Sequence, residues 1–319
     1  MPQHITTTYF MIKTIVIKIA MLLCLSSLTY AQTIPQVASG SVTRITLFKS
    51  KFIEARNVDI WLPDGYNIQK KYNVLYMHDG QMLFDSTQTW NKKEWGVDEA
   101  MSTLIKEGKI KDCIVVGIWN GGKTRHTDYF PQKPYQSLTK AQQDFVDTKL
   151  KSAGRTTNTF KPQSDNYLKF LVTELKPFID KKYAVYKDKA HTFIAGSSMG
   201  GLISMYALTQ YPQVFGGAAC LSTHWVGIFE VQDNPIPQAF YNYLEKKLPN
   251  AKNHKLYFDY GDQTLDALYP PLQAEVDKIM RKKGWTEKSW ITLFFKGENH
   301  SEQAWSKRLA NPLLFLLEK

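Results

Sequence analysis

Cysteine is scarce, with 3 in 319 residues. Cys24 lies in an N-terminal apolar run without the small residues expected before a lipidated cysteine, so no lipoprotein is expected. Cys113 and Cys220 sit in separate apolar, strand-like runs, with no histidine at metal-site spacing. That excludes a cysteine–histidine zinc site and favours buried free thiols over a disulfide. No metal or cofactor is expected. After residue 31 no apolar run approaches the ~18 residues of a membrane span. Acid is short relative to base: Asp and Glu total 29 against 40 Lys and Arg, a net charge of +11. The basic residues are scattered in pairs such as Lys70-Lys71, Lys181-Lys182 and Lys246-Lys247, and no nucleic-acid motif accompanies them. Repeats and low-complexity linkers are also absent. With 43% apolar and 22% charged residues, the chain is neither disordered nor fibrous.

What is present begins with a leader. Lys13 and Lys18 precede an uncharged run from Ile19 to Ala31, and Thr29-Tyr30-Ala31 offers small residues for cleavage. This reads as a secretory signal peptide over residues 1–31, with either Met1 or Met11 as the start. Its removal lowers the net charge from +11 to +9. An exported protein, periplasmic or extracellular, is expected, without stable membrane insertion after cleavage. Residues 32–319 are expected to form a single domain.

Within that domain, Ser41–Phe48 and Asn57–Leu62 alternate apolar and polar residues, the pattern of an antiparallel hairpin at a sheet edge. Continuous apolar runs follow at Asn73–His78, Cys113–Trp119, His191–Ala195, Phe215–Leu221, Lys255–Tyr260 and Ile291–Phe295. Helical patterns alternate with them, at Trp95–Gly108, Ser164–Lys182, Pro237–Leu248, Leu272–Lys283 and Ser301–Leu317. Apolar runs alternating with helices predict an α/β fold: a mostly parallel central sheet with helices on both faces. Lys123–Gln163 is too long for an ordinary loop and is expected to wall a substrate cleft.

The stretch that organises the chemistry is Gly196-Ser197-Ser198-Met199-Gly200-Gly201, between a strand and a helix. Gly-x-Ser-x-Gly in that context holds a serine on a sharp turn above the sheet. Such a pentapeptide arises by chance in roughly one chain in ten of this length, so partners are needed. They follow in order: an acidic loop, Asp262 to Asp266, after the next-but-one strand, then His300 after one more helix and strand. Ser198 is the expected nucleophile and His300 the base. Asp266 is the preferred acid, because its loop must reach back over the sheet, with Asp262 the alternative. Oxyanion donors are expected at the amide of Met199 and at Gln81 or Met82, beyond an earlier strand. Trp225, Trp119 and His224, just past strand ends, are candidate substrate contacts.

Tyr76–Asp85 (YMHDGQMLFD), Val116–Gly121 (VGIWNG) and Gly196–Gly201 (GSSMGG) together resemble the Putative esterase family of α/β-hydrolases. Its relatives include esterase D-type, feruloyl, acetylxylan and siderophore esterases. The resemblance runs over residues 42–318. It implies an α/β-hydrolase fold, a nucleophile at Ser198, a histidine at His300 and an oxyanion loop at Gly80-Gln81-Met82. The expected activity is that of an exported serine carboxylic-ester hydrolase working through an acyl-enzyme. Its substrate would be a small-molecule or glycan ester, carbohydrate-linked (acetyl or feruloyl) or siderophore-type. Acyl transfer by the same triad, or a non-catalytic glycan- or siderophore-binding protein on the same fold, are the alternatives.

Overall fold

Apolar strands need cover on both faces, and the fold supplies it. The computed structural model describes residues 33–319, so the expected signal segment lies outside the described residues. Pro35–Lys319 form one compact unit around an eight-stranded sheet. Its strands are β1 (Ser41–Phe48), β2 (Arg56–Leu62), β3 (Asn73–His78), β4 (Cys113–Ile118), β5 (Thr192–Ser197), β6 (Gly217–Leu221), β7 (Lys255–Tyr260) and β8 (Trp290–Phe294). Their spatial order is β1-β2-β4-β3-β5-β6-β7-β8. β1 pairs antiparallel with β2 and β2 antiparallel with β4, while β3 to β8 run parallel. This is the α/β-hydrolase fold, with the expected antiparallel hairpin at one edge.

The two-residue period of the strands divides the core. From β3, Val74 and Tyr76 join a large apolar cluster on one face that includes Ile114, Ile194 and Met205. Leu75 and Met77 point the other way, to a second cluster with Trp61, Val115, Phe193, Trp305 and Leu313. Because both faces are covered, all six residues of β3, β4 and β5 are buried. Cys113 and Cys220 are buried free thiols on β4 and β6.

Proline sets two helix breaks that the apolar periodicity did not show. The expected helix Ser164–Lys182 contains a π turn over Phe170–Leu175. Pro177 follows it and has no amide to give to the Thr173 carbonyl. The closing helix divides into Glu302–Arg308 and Ala310–Leu317. There Pro312 cannot donate to the Arg308 carbonyl, and the Asn311 side chain does so instead at 3.0 Å. The long segment 123–163 is ordered by helices of its own, Arg125–Tyr129, Gln132–Gln136 and Lys140–Ser152. Phe130, Tyr135 and Phe160 pack against one another beneath it, and Phe130 also meets Phe240. Among the described residues no helix is long and apolar enough to cross a membrane.

Candidate active site

Strand β5 ends at Ser197 and a helix begins at Met199, leaving one residue for the turn. Ser198 makes it with φ 57° and ψ −119°, a conformation that strains any residue with a Cβ. The surroundings hold it there. The Ser198 amide donates to the Leu221 carbonyl at 2.9 Å, and its carbonyl accepts from the amides of Gly201, Leu202 and His224 at 3.1–3.2 Å. Gly196 has a steric reason. A Cβ there would lie 2.8 Å from the backbone carbon and oxygen of Gly200. The strain thus falls on the serine, while the glycine provides the close approach. The Met199–Gln210 helix is buried on all sides through Thr209, and its first amides have no intrahelical acceptor.

His300 and Asp266 come together across two loops beyond β7 and β8. His300 Nδ1 lies 2.6 Å from Asp266 Oδ1. The loops are joined by backbone: the Asp262 and Gln263 amides both donate to the Glu298 carbonyl at 3.1 Å. That contact requires Gly261, where a Cβ would stand 2.0 Å from the Glu298 oxygen. The other oxygen of Asp266 accepts from the Gly261 amide at 2.7 Å and the Ser222 hydroxyl at 2.6 Å. Burial pushes the Asp266 carboxyl up. Bonds from His300, Ser222 and Gly261 outweigh that and hold it below the usual range. Asp262 does not reach His300. Its Oδ1 accepts from the Gly297 amide at 2.7 Å and the Gln263 side chain at 2.9 Å.

Behind this pair lies a buried polar network. Ser222 Oγ accepts from Arg308 Nη2 at 2.8 Å and Trp305 Nε1 at 2.9 Å. Arg308 also pairs with Asp259 at 2.9 Å, and Tyr257 donates to the other Asp259 oxygen at 2.8 Å. A second fixed charge pair stands by the elbow. Asp79, in the left-handed region at φ 56°, accepts both Arg125 Nε at 2.7 Å and Nη2 at 2.8 Å. Asn120 adds a third bond to Asp79 at 2.7 Å, joining the loops after β3 and β4.

The other expected contacts fall differently. Met82 is not a free donor: its amide closes a 3₁₀ turn onto the Asp79 carbonyl at 2.8 Å, and its side chain is buried. The Gln81 side chain accepts from the Asn120 amide at 3.2 Å. Trp225 is a core residue and not a cleft wall. It is 0% exposed, packs on Phe240 and Phe258, and donates to Gln273 at 2.7 Å. Trp119 donates to Asp59 at 2.8 Å under the Arg44 guanidinium, so its ring is committed to the β1–β2 side. His224 is buried beside Tyr269, its Nδ1 2.9 Å from the phenol, and the Tyr269 ring in turn meets that of His300. Burial first, and the nearby His300 second, push its imidazole well below the usual range.

Known proteins resemble this chain in sequence and in fold. A family model described as "Putative esterase" matches residues 50–316. This chain belongs to the Putative esterase family. It is 28% identical over 226 residues to an endo-1,4-beta-xylanase/feruloyl esterase of Xylanibacter ruminicola, covering 67% of this chain but only 26% of that relative. A solved ferulic acid esterase superposes with a TM-score of 0.61 at 21% identity, covering 88% of this chain and 98% of that one. The enterobactin esterase FES from Shigella flexneri gives 0.62 at 16% identity, covering 89% of this chain and 61% of that one. At those identities the two structures attest the fold.

In this family member several residues near Ser198 and His300 were missed from the sequence. Ser222, Trp305 and Arg308 gave no motif. Asp259 did carry a signal, an acid inside an otherwise apolar strand. Such a residue must be buried with a partner, but the partner's position, 49 residues on, could not be read.

Proposed function

We propose that the protein is a serine carboxylic-ester hydrolase acting through an acyl-enzyme. Ser198 is the nucleophile. His300, held at Nδ1 by Asp266, takes the serine proton through Nε2 and returns it to the leaving alcohol. Asp266 fixes the tautomer and stabilises the imidazolium. The tetrahedral oxyanion is met by the amides of Met199 and Gln81, each contributing about 3 kcal/mol to the transition state. The observation that carries this reading is the 2.6 Å contact of His300 with a buried Asp266, at the same end of the sheet as the strained Ser198.

On this reading the chain acts after export, with residues 1–31 removed and residues 32–319 as one catalytic domain. Its substrate is an ester of an aromatic or acetyl acyl group with a carbohydrate, or a siderophore ester. Support comes from the names of the Xylanibacter and Shigella relatives. The test is a panel of p-nitrophenyl acetate, feruloylated and acetylated oligosaccharides and a siderophore ester, run beside Ser198→Ala with fluorophosphonate labelling. Wild-type protein turns over at least one ester and is labelled, whereas the variant does neither. Unchanged turnover by Ser198→Ala would overturn the nucleophile. N-terminal sequencing of the exported protein is expected to begin at Gln32.

A further inference from the structure

We propose that a cavity at the opposite edge of the sheet, where the parallel strands begin, binds a small ligand carrying several negative charges. The cavity holds about 680 Å³, within the range of about 300–1,000 Å³ typical of ligand pockets. Its wall includes Asn73 and Lys255, the first residues of β3 and β7. Ser198 stands past the last residue of β5, at the other edge. The cavity is therefore separate from the esterase site.

The charge around it is one-sided. Lys111, Lys189, Lys252, Lys255 and Lys288 line it, and no Asp or Glu does. Among the described residues none of the five closes an ion pair. Of the neighbouring acids, Asp112 pairs with Lys70 and Asp188 with His191 at 2.8 Å, while Glu318 lies near Lys255. Lys255 is half-buried and donates to the Phe315 carbonyl at 2.8 Å. Its ammonium is held below the usual range by burial first. Glu318 opposes that and Lys111 adds to it.

A further lining residue points the same way. Buried His254 has Nδ1 2.9 Å from the Asn250 carbonyl and Nε2 2.8 Å from the Pro212 carbonyl. Carbonyls only accept, so this ring faces two acceptors and adds no negative charge to the wall. A concave surface with unpaired cations and low-dielectric walls concentrates anions. Ammonium groups suit phosphate or carboxylate as point charges and do not demand forked geometry. The ligand chemistry is therefore a cluster of phosphates or carboxylates, as in a polyphosphate or an oligo-uronate.

Calorimetric titration at low salt with tripolyphosphate, trigalacturonate and neutral maltotriose tests this. Saturable one-site binding of at least one anion, and none of maltotriose, is expected. The anion that binds identifies the phosphate or the carboxylate source. Lys189→Glu/Lys252→Glu should weaken it at least tenfold, with p-nitrophenyl acetate turnover and the thermal midpoint unchanged. Should that double variant fail to fold, Lys288→Gln should still weaken binding about threefold. No saturable binding of either anion, or equal affinity in wild type and variants, overturns the proposal.

Discussion

At the edge of the sheet where strands β3 to β8 end, the buried charges described above have partners. Asp266 faces His300, Asp259 faces Arg308, and Asp79 faces Arg125. At the edge where they begin, five lysines and His254 surround a void. The contrast separates two uses of charge. Closed pairs fix the position of neighbouring groups, and the strained Ser198 needs that support. Open charge fixes nothing and is available to a ligand.

The largest effects should come from breaking the closed edge. Ser198→Ala is expected to lower kcat by about 10⁶-fold, leaving only what binding and oxyanion donors supply. Asp266→Asn should cost about 10⁴-fold, because an amide no longer fixes the tautomer of His300. Asp262→Asn should stay within about twofold, since that carboxylate bonds only Gln263 and the Gly297 amide among the contacts described. Steady-state rates on one p-nitrophenyl ester compare the two. Equal losses would end the assignment of Asp266 over Asp262.

Arg308→Ala sharpens the comparison on the stability axis. It strips the cation from Asp259, whose side chain is fully buried. Leaving one member of a buried pair alone costs about 3–5 kcal/mol. It also removes a donor to Ser222, and so loosens the hydroxyl that bonds Asp266. Urea denaturation should show the loss, and Arg308→Lys should recover part of it. A loss below about 1 kcal/mol would mean that the pair does not hold the loop.

The two edges also differed in how far the sequence revealed them. The strands, the sharp turn at Ser198 and the meeting of the Asp266 and His300 loops were legible because each lies beyond the end of an apolar run. The choice between Asp266 and Asp262 was only a preference, because both follow Gly261 and only the contact of Asp266 with His300 separates them. Trp225 was misread because a residue just past a strand end can turn inward as easily as outward. Met82 was misread because a 3₁₀ turn uses its amide internally. The lysine cavity gave no signal, as its cations come from four separate stretches of the chain. In sequence they resemble solubilising charges.

A smaller effect concerns histidines held neutral by burial. Burial lowers His78 and His126 to about 3, and His224 falls well below its usual range. The unfolded chain binds protons at these positions below about pH 6.5, while the native state does not. The unfolded state therefore carries more protons, and stability falls as pH falls from about 6.5 toward 3. The slope is at most about 1.4 kcal/mol per pH unit for each histidine. Asp266, also held low, adds to the loss below its unfolded value near 4. His126 offers the cleanest dissection: its ring packs between Phe130 and Phe160, and its buried Nε2 has no hydrogen-bond partner among the described residues. His126→Phe should keep the packing and remove one proton from the balance. Chemical denaturation at pH 7 and pH 5 should show a smaller acid loss in the variant, by about 1–2 kcal/mol. An unchanged difference between the two pH values would show that His126 is not held neutral in the native state.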